Sequence, residues 1–185
     1  MKTILIIVAH PVETSFSFAM ANRYKELALQ KGYPVEVIDL YRDQHRQGFL
    51  TFDKDYRKNP SPEMRYYQEK IAGADELVFV FPYWWGGFPA ILKNFIDWNF
   101  SKGFAYETKG HHTQGLLKGK TVKIFTTTYA PSWYYRLTGA RKRFKNTVKK
   151  QIVEFCGMKL AGFKMFGSIS PKNKHTADIL KKITI

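Results

Sequence analysis

Three short stretches of this chain combine residue types that can hold a ligand. The first, His10-Pro11-Val12-Glu13-Thr14-Ser15-Phe16-Ser17, lies between a β-branched run and a helical one. A helix N-terminus carries unpaired N–H groups and the positive end of the helix dipole, so this junction suits an anion. Thr14, Ser15 and Ser17 add hydroxyl donors, and His10 adds a donor or a positive charge. The glycine pattern of a triphosphate or dinucleotide loop is missing, so tight cradling of a triphosphate is not expected. The same residues also fit a plain reading, with Ser15 an N-cap and His10 a turn residue.

The second stretch, Phe81-Pro82-Tyr83-Trp84-Trp85-Gly86-Gly87-Phe88-Pro89, ends another apolar run. Neighbouring residues of an extended chain point to opposite sides, so Trp84 and Trp85 cannot both enter one core. At least one is expected to line a cleft and offer a flat face to a planar ligand. Gly86 and Gly87 let the backbone approach such a ligand closely. Core aromatics beside a flexible turn are the alternative. The third stretch, Thr126-Thr127-Thr128-Tyr129-Ala130-Pro131-Ser132-Trp133-Tyr134-Tyr135, again sets hydroxyls before aromatics. It suits the other edge of the same ligand, or an ordinary surface turn.

The elements that must position these stretches follow from the spacing of apolar residues. Lys2–Ala9, Val35–Leu40, Glu76–Phe81, Thr121–Thr127 and Leu160–Phe166 are predicted strands. Helices are predicted over Phe16–Lys31, Glu63–Gly73, Pro89–Phe100, Ala140–Phe155 and Thr176–Ile183. Gly32 caps the first, and the stripe Phe144, Val148, Ile152 and Phe155 marks the fourth. Tyr41–Pro62, Lys102–Lys120 and Thr128–Gly139 read as loops. Strands alternating with helices imply βαβ units and a parallel sheet with right-handed crossovers. Ligands of such sheets bind outside the carboxyl ends of the strands, where strand order reverses. All three stretches are expected at that end.

The 185 residues are the size of one domain, residues 1–185, with 44% hydrophobic and 16% aromatic residues to build its core. The longest apolar runs, Ile4–Ala9 and Leu77–Phe81, are far shorter than the roughly 20 residues that span a bilayer. With one cysteine and no secretory pattern at the start, the chain is expected to be cytoplasmic and not membrane-embedded. Thirty Lys and Arg against fifteen Asp and Glu give a net charge of +15, which favours anionic partners. No recognition motif accompanies that charge, so no specific nucleic-acid partner is expected.

The HPVETSFSFAM opening and the run Phe81–Asp97 (FPYWWGGFPAILKNFID), followed by Gly103-Phe104-Ala105-Tyr106, resemble the NAD(P)H:quinone oxidoreductases of flavodoxin-like fold. The likeness spans roughly residues 3–135 and continues weakly through Glu154–Gly157. It implies an α/β fold, a flavodoxin-like three-layer sandwich with a five-stranded parallel sheet in the order 2-1-3-4-5. It further implies a flavin, FMN or FAD, as cofactor. His10, Ser15, Phe16 and Ser17, with Thr14 beside them, would hold its phosphate side. Pro82, Tyr83, Trp84, Trp85 and Gly86 would flank the ring, and Thr126, Thr127, Thr128 and Tyr129 would face its pyrimidine edge. Tyr134 matches a family tyrosine near the flavin O2 and stands as the catalytic candidate. NAD(P)H would be the electron donor, a quinone or similar electrophile the acceptor, and a homodimer the assembly.

Two departures stand out. Thr128-Tyr129 replaces a Gly-Gly pair of the family's mammalian members, and Ala140 replaces the histidine that partners their tyrosine. A Tyr–His relay is therefore not expected here. The stretch after the second strand is shorter than in the mammalian enzymes, which favours FMN over FAD. Two other readings compete with an enzyme. A flavodoxin-type electron carrier is disfavoured by the charge, since such carriers are typically acidic. A flavin-binding regulatory subunit of a potassium efflux system is compatible with the sequence. Cys156 reads as core, His111-His112 as an exposed pair without further metal ligands, and the basic run 136–150 as a solvated helix face or as an attractant for the phosphates of NADPH or an acidic partner.

Overall fold

The computed structural model describes residues 1–51, 59–170 and 176–185; residues 52–58 of the expected loop 41–62 lie outside them. β1 (Ile4–Val8) and β3 (Glu76–Pro82) are buried at every position. Unbroken apolar runs like these become strands where helices cover both faces. Between them come α1 (Phe16–Gln30), β2 (Val35–Asp39) and α2 (Pro62–Gly73). After β3 the chain forms α3 (Ala90–Asn99), a hairpin of β4 (Tyr106–Lys109) and β5 (His112–Gly115), and β6 (Thr121–Thr127). α4 (Ser132–Leu137), α5 (Ala140–Thr147), a π-helical turn over Val148–Val153, β7 (Lys159–Phe166) and α6 (Thr176–Lys181) complete it.

Five strands pair in parallel in the order β2-β1-β3-β6-β7, the expected 2-1-3-4-5 of the main sheet. Leu5, Ile7, Leu77, Phe79 and Phe81 pack against Tyr67 and Ile71 of α2, Leu92 and Phe95 of α3, and Phe144 of α5. From the opposite face Ile4, Ile6, Val8, Val78 and Val80 pack against Met20, Ala21, Tyr24 and Ala28 of α1. The alternation of the strand residues thus produces three layers. Val8 pairs with both Asp39 and Val80, and Pro82 pairs with Thr127. The carboxyl ends of the four adjacent strands therefore stand side by side. Chain order reverses between β1 and β3, so loops 10–15 and 83–89 flank the switch point.

Three elements differ from the pattern expected. Residues 102–120 hold the β4–β5 hairpin, whose short polar strands give no apolar alternation; a Thr108–Thr113 hydroxyl contact of 3.2 Å links side chains across it. Gly115 fixes this hairpin on the main body, because a Cβ there would lie 2.1 Å from the Gly157 nitrogen. Residues 128–139 contain α4, one short helix without a buried residue to betray it. The helix after Gly139 is not α-helical throughout, since Glu154 N bonds Lys149 O at 2.8 Å and Met158 N bonds Val153 O at 3.0 Å. This wider turn buries Val153 and turns Phe155 out against Tyr106, 4.9 Å between ring centres. Among the described residues no helix is long and apolar enough to cross a membrane.

Candidate functional site

Ser15 occupies the N-cap position of α1 with extended backbone, yet its side chain caps nothing, and the first turn holds no acid. The hydroxyls of Ser15 and Ser17 are buried and have no hydrogen-bond partner. A buried polar group without a partner is costly and calls for an explanation. The plain N-cap reading of Ser15 does not supply one. Phe16 packs against the α1-side core, and Thr14 is exposed.

His10 is half-buried, and its Nδ1 stands 3.0 Å from the Val12 nitrogen and 3.1 Å from the Val12 carbonyl, accepting from the first or donating to the second according to its tautomer. Burial chiefly, and the Arg42 charge in addition, lower its pKa against the opposing pull of the Val12 backbone. At neutral pH His10 is therefore neutral and not a cation. Arg42, one of the residues that sequence reasoning missed, ties this loop down. Its guanidinium bonds the Pro11 carbonyl, pairs with Glu13 at 3.0 Å and with Asp39 at 2.8 Å. The available signal was positional: Arg42 follows a strand paired with β1, so it must emerge beside the loop that leaves β1.

In the second stretch Trp84 and Gly87 exchange backbone hydrogen bonds of 3.3 and 2.9 Å around a two-residue turn. Both central residues have positive φ, 49° at Trp85 and 82° at Gly86. Glycine adopts this freely, but tryptophan does so at a cost in strain. Neither tryptophan enters the core: Trp85 is wholly exposed and Trp84 is 41% exposed. The Trp84 ring lies 6.0 Å from His10, so the first two stretches meet. Pro82 is buried at the end of β3. The Tyr83 N–H bonds Thr127 O at 2.8 Å, and its ring sits edge-on to Tyr135 at 5.5 Å, so the second and third stretches meet as well. Burial, then the neighbouring Tyr135, raises the Tyr83 pKa and keeps the phenol neutral.

Thr126, Thr127 and Thr128 are all buried, and the Thr126 hydroxyl finds no partner. Thr128 is committed internally: its hydroxyl donates to Ala130 O at 2.9 Å and its N–H to Phe166 O at 2.8 Å. Gly167 explains how closely this turn is gripped, because a Cβ there would lie 2.1 Å from the Ser132 nitrogen. Tyr129 is exposed, and Tyr134 on α4 is half-exposed with its ring 5.4 Å from Tyr135.

The loops thus form an open shelf at one end of the sheet. The segments that form it carry orphaned hydroxyls, Ser15 and Ser17 at the start of α1 and Thr126 on the other face of the sheet beside Phe81, and Trp84, Trp85 and Tyr129 are exposed. Such a shelf fits a planar ligand with an anionic tail. A cavity of about 340 Å³ lies elsewhere, between the 41–49 loop and α3, lined by Tyr41, Phe49, Ile91 and Asn94 among others. Cys156 is buried, and burial pushes its thiol up to about 11, so it is no nucleophile. His111 and His112 sit exposed at the β4–β5 turn; among the described residues no three metal-ligating side chains come together.

Comparison with known proteins agrees with this architecture. An "Uncharacterized NAD(P)H oxidoreductase" of Haemophilus influenzae is 34% identical over 169 residues, covering 89% of this chain and 83% of that protein. NAD(P)H dehydrogenase (quinone) 1 of Cavia porcellus is 30% identical over 182 residues, covering 86% of this chain and 66% of that protein. The crystal structure of Smu.1420 from Streptococcus mutans UA159 superposes with a TM-score of 0.85 at 33% identity, covering 98% of this chain and 96% of the other. A family model described as the flavodoxin-like fold matches residues 2–184. The chain belongs to that flavodoxin-like family and is a relative of its NAD(P)H oxidoreductases.

Proposed function

We propose that this protein is a flavin-dependent NAD(P)H oxidoreductase that reduces quinones or similar electrophiles by two electrons. The observation that carries the reading is the pair of buried, unpartnered hydroxyls at Ser15 and Ser17 where α1 begins, next to a loop whose His10 ring stands 6.0 Å from that of exposed Trp84. A hydroxyl turns at little cost, so these side chains can satisfy a ligand seated on the loop.

The flavin, when bound, supplies reversible hydride chemistry, accepting from NAD(P)H and giving to the quinone in two half-reactions at one open face. Ser15, Ser17, Thr14 and the first N–H groups of α1 would hold its phosphate, with neutral His10 as a further donor. Trp84 and Trp85 would stack along the ring, and the Trp85 and Gly86 amides would meet its heteroatoms. Thr126, Thr127 and Tyr129 would lie toward the pyrimidine edge. Tyr134 would hold a proton donor where negative charge gathers. The Thr128 hydroxyl gives its proton to Ala130 O and so has none to offer in place of the absent histidine partner. Negative charge would instead be met by backbone amides and by the basic run 136–150.

FMN is the preferred flavin, given the short stretch after β2, and the resemblance favours a homodimer with the site at its interface. The test is turnover of FMN-reconstituted protein with NADH or NADPH and menadione. Parallel double-reciprocal lines are expected. Flavin-loaded protein that oxidises neither cofactor when menadione is present would contradict the enzyme reading.

A further inference from the structure

The guanidinium of Arg42 joins three parts of the fold that meet at the phosphate end of the shelf. It bonds the Pro11 carbonyl and pairs with Glu13 at 3.0 Å, both in the 10–15 loop. It pairs with Asp39 at the end of β2 at 2.8 Å, and lies 5.8 Å from the ring centre of Phe18 in the first turn of α1. Asp39 is itself pre-set, since its carboxylate accepts the Tyr41 N–H at 3.0 Å. A planar fork with several donors suits this many-sided hold in a way a lysine does not.

The charge balance gives the arrangement its purpose. Glu13 stands one residue from Thr14 and two from Ser15, inside a loop that otherwise offers only donors to an anion. Asp39, Glu13 and Arg42 together carry one negative charge, whereas without Arg42 they carry two. Arg42 thus has no spare positive charge of its own to offer a phosphate. It acts through the loop, by holding Pro11 and by cancelling Glu13. Ion pairs as exposed as this one, with Glu13 67% exposed, contribute little to folding stability. The consequence of losing it falls on the ligand.

We infer that Arg42 is a positioning residue for the phosphate end of the flavin, fixing the 10–15 loop and neutralising Glu13 beside the anion site. The inference rests on the reading that this loop holds the flavin phosphate. It therefore separates FMN from riboflavin, which has the same ring and no phosphate.

Dissociation constants for FMN and riboflavin, titrated by flavin fluorescence at low salt, test it. R42Q is expected to weaken FMN about tenfold and riboflavin less than about twofold, the loss of one charge partner beside an anion. R42K, which keeps the charge and loses the fork, falls between. E13Q binds FMN as tightly as the wild type or more tightly, and adding E13Q to R42Q restores part of the loss. R23Q removes the same charge from the middle of α1, where Arg23 pairs with Glu26, and leaves both constants unchanged. Unchanged FMN affinity in R42Q, or equal weakening of FMN and riboflavin, overturns the inference. If R42Q does not fold, R42K decides by the same FMN-to-riboflavin ratio. A wild-type protein that binds neither compound overturns the flavin reading itself, and this inference with it.

Discussion

At Trp85 the backbone sits at φ 49° while the indole is wholly exposed, so the residue is strained and yet gives nothing to the core. A left-handed conformation costs an L-residue on the order of 1–2 kcal/mol relative to glycine. The W85G variant is therefore expected to melt at the same temperature or higher, with stability raised by up to about 1 kcal/mol. FMN affinity should fall about tenfold with loss of the stacking face. Thermal melts and flavin titration on one preparation check both; a lower melting temperature with unchanged affinity would make Trp85 structural. The tryptophan pair was legible because two adjacent large rings cannot share one core. The inward commitment of Thr128 was not, because it depends on Phe166, 38 residues away in sequence. Arg42 was hidden for a similar reason: its partners Glu13 and Pro11 come from a loop that only strand pairing brings near.

At the scale of elements, the far end of the sheet is pinned by Glu76, the first residue of β3 and 1% exposed. It accepts from Lys2 at 2.8 Å and from the Tyr24 hydroxyl, with Lys123 at 3.7 Å. Burial pushes its carboxyl up, but the Lys2 and Tyr24 bonds and the Lys123 charge outweigh burial, and the net direction is below the ordinary 4.5. A lowered folded-state pKa contributes stability that is present above pH 4.5 and lost as pH falls through the folded value. E76Q should cost roughly 2–3 kcal/mol at neutral pH, and its deficit should shrink below that window. Urea unfolding of both proteins at neutral and acid pH measures this; a deficit independent of pH would remove the carboxylate from the explanation. The five main strands and four of the five expected helices were legible from apolar spacing. The remaining one, expected over Ala140–Phe155, kept its start and lost its later register to the π turn, which no spacing rule anticipates. The β4–β5 hairpin and α4 were illegible because they bury little: one is held by Gly115 against Gly157, the other by Gly167 against Ser132.

Across the whole molecule, parallel order β2-β1-β3-β6-β7 puts the loops after β1, β3 and β6 at one end, and the chain uses that end for its unsatisfied hydroxyls and exposed aromatics. Part of the excess positive charge lies on α5, which follows the loop after β6. Lys142, Arg143 and Lys145 are exposed on α5 while Phe144 and Val148 face the core, as expected of a solvated helix face. Local charge of this sign raises the concentration of phosphorylated cofactors near the shelf. The central claim is that the shelf holds a flavin. Protein purified and then denatured with acid should release FMN, identified chromatographically, at one equivalent per chain after reconstitution. A chain that releases no flavin and takes up neither FMN nor FAD would contradict the account.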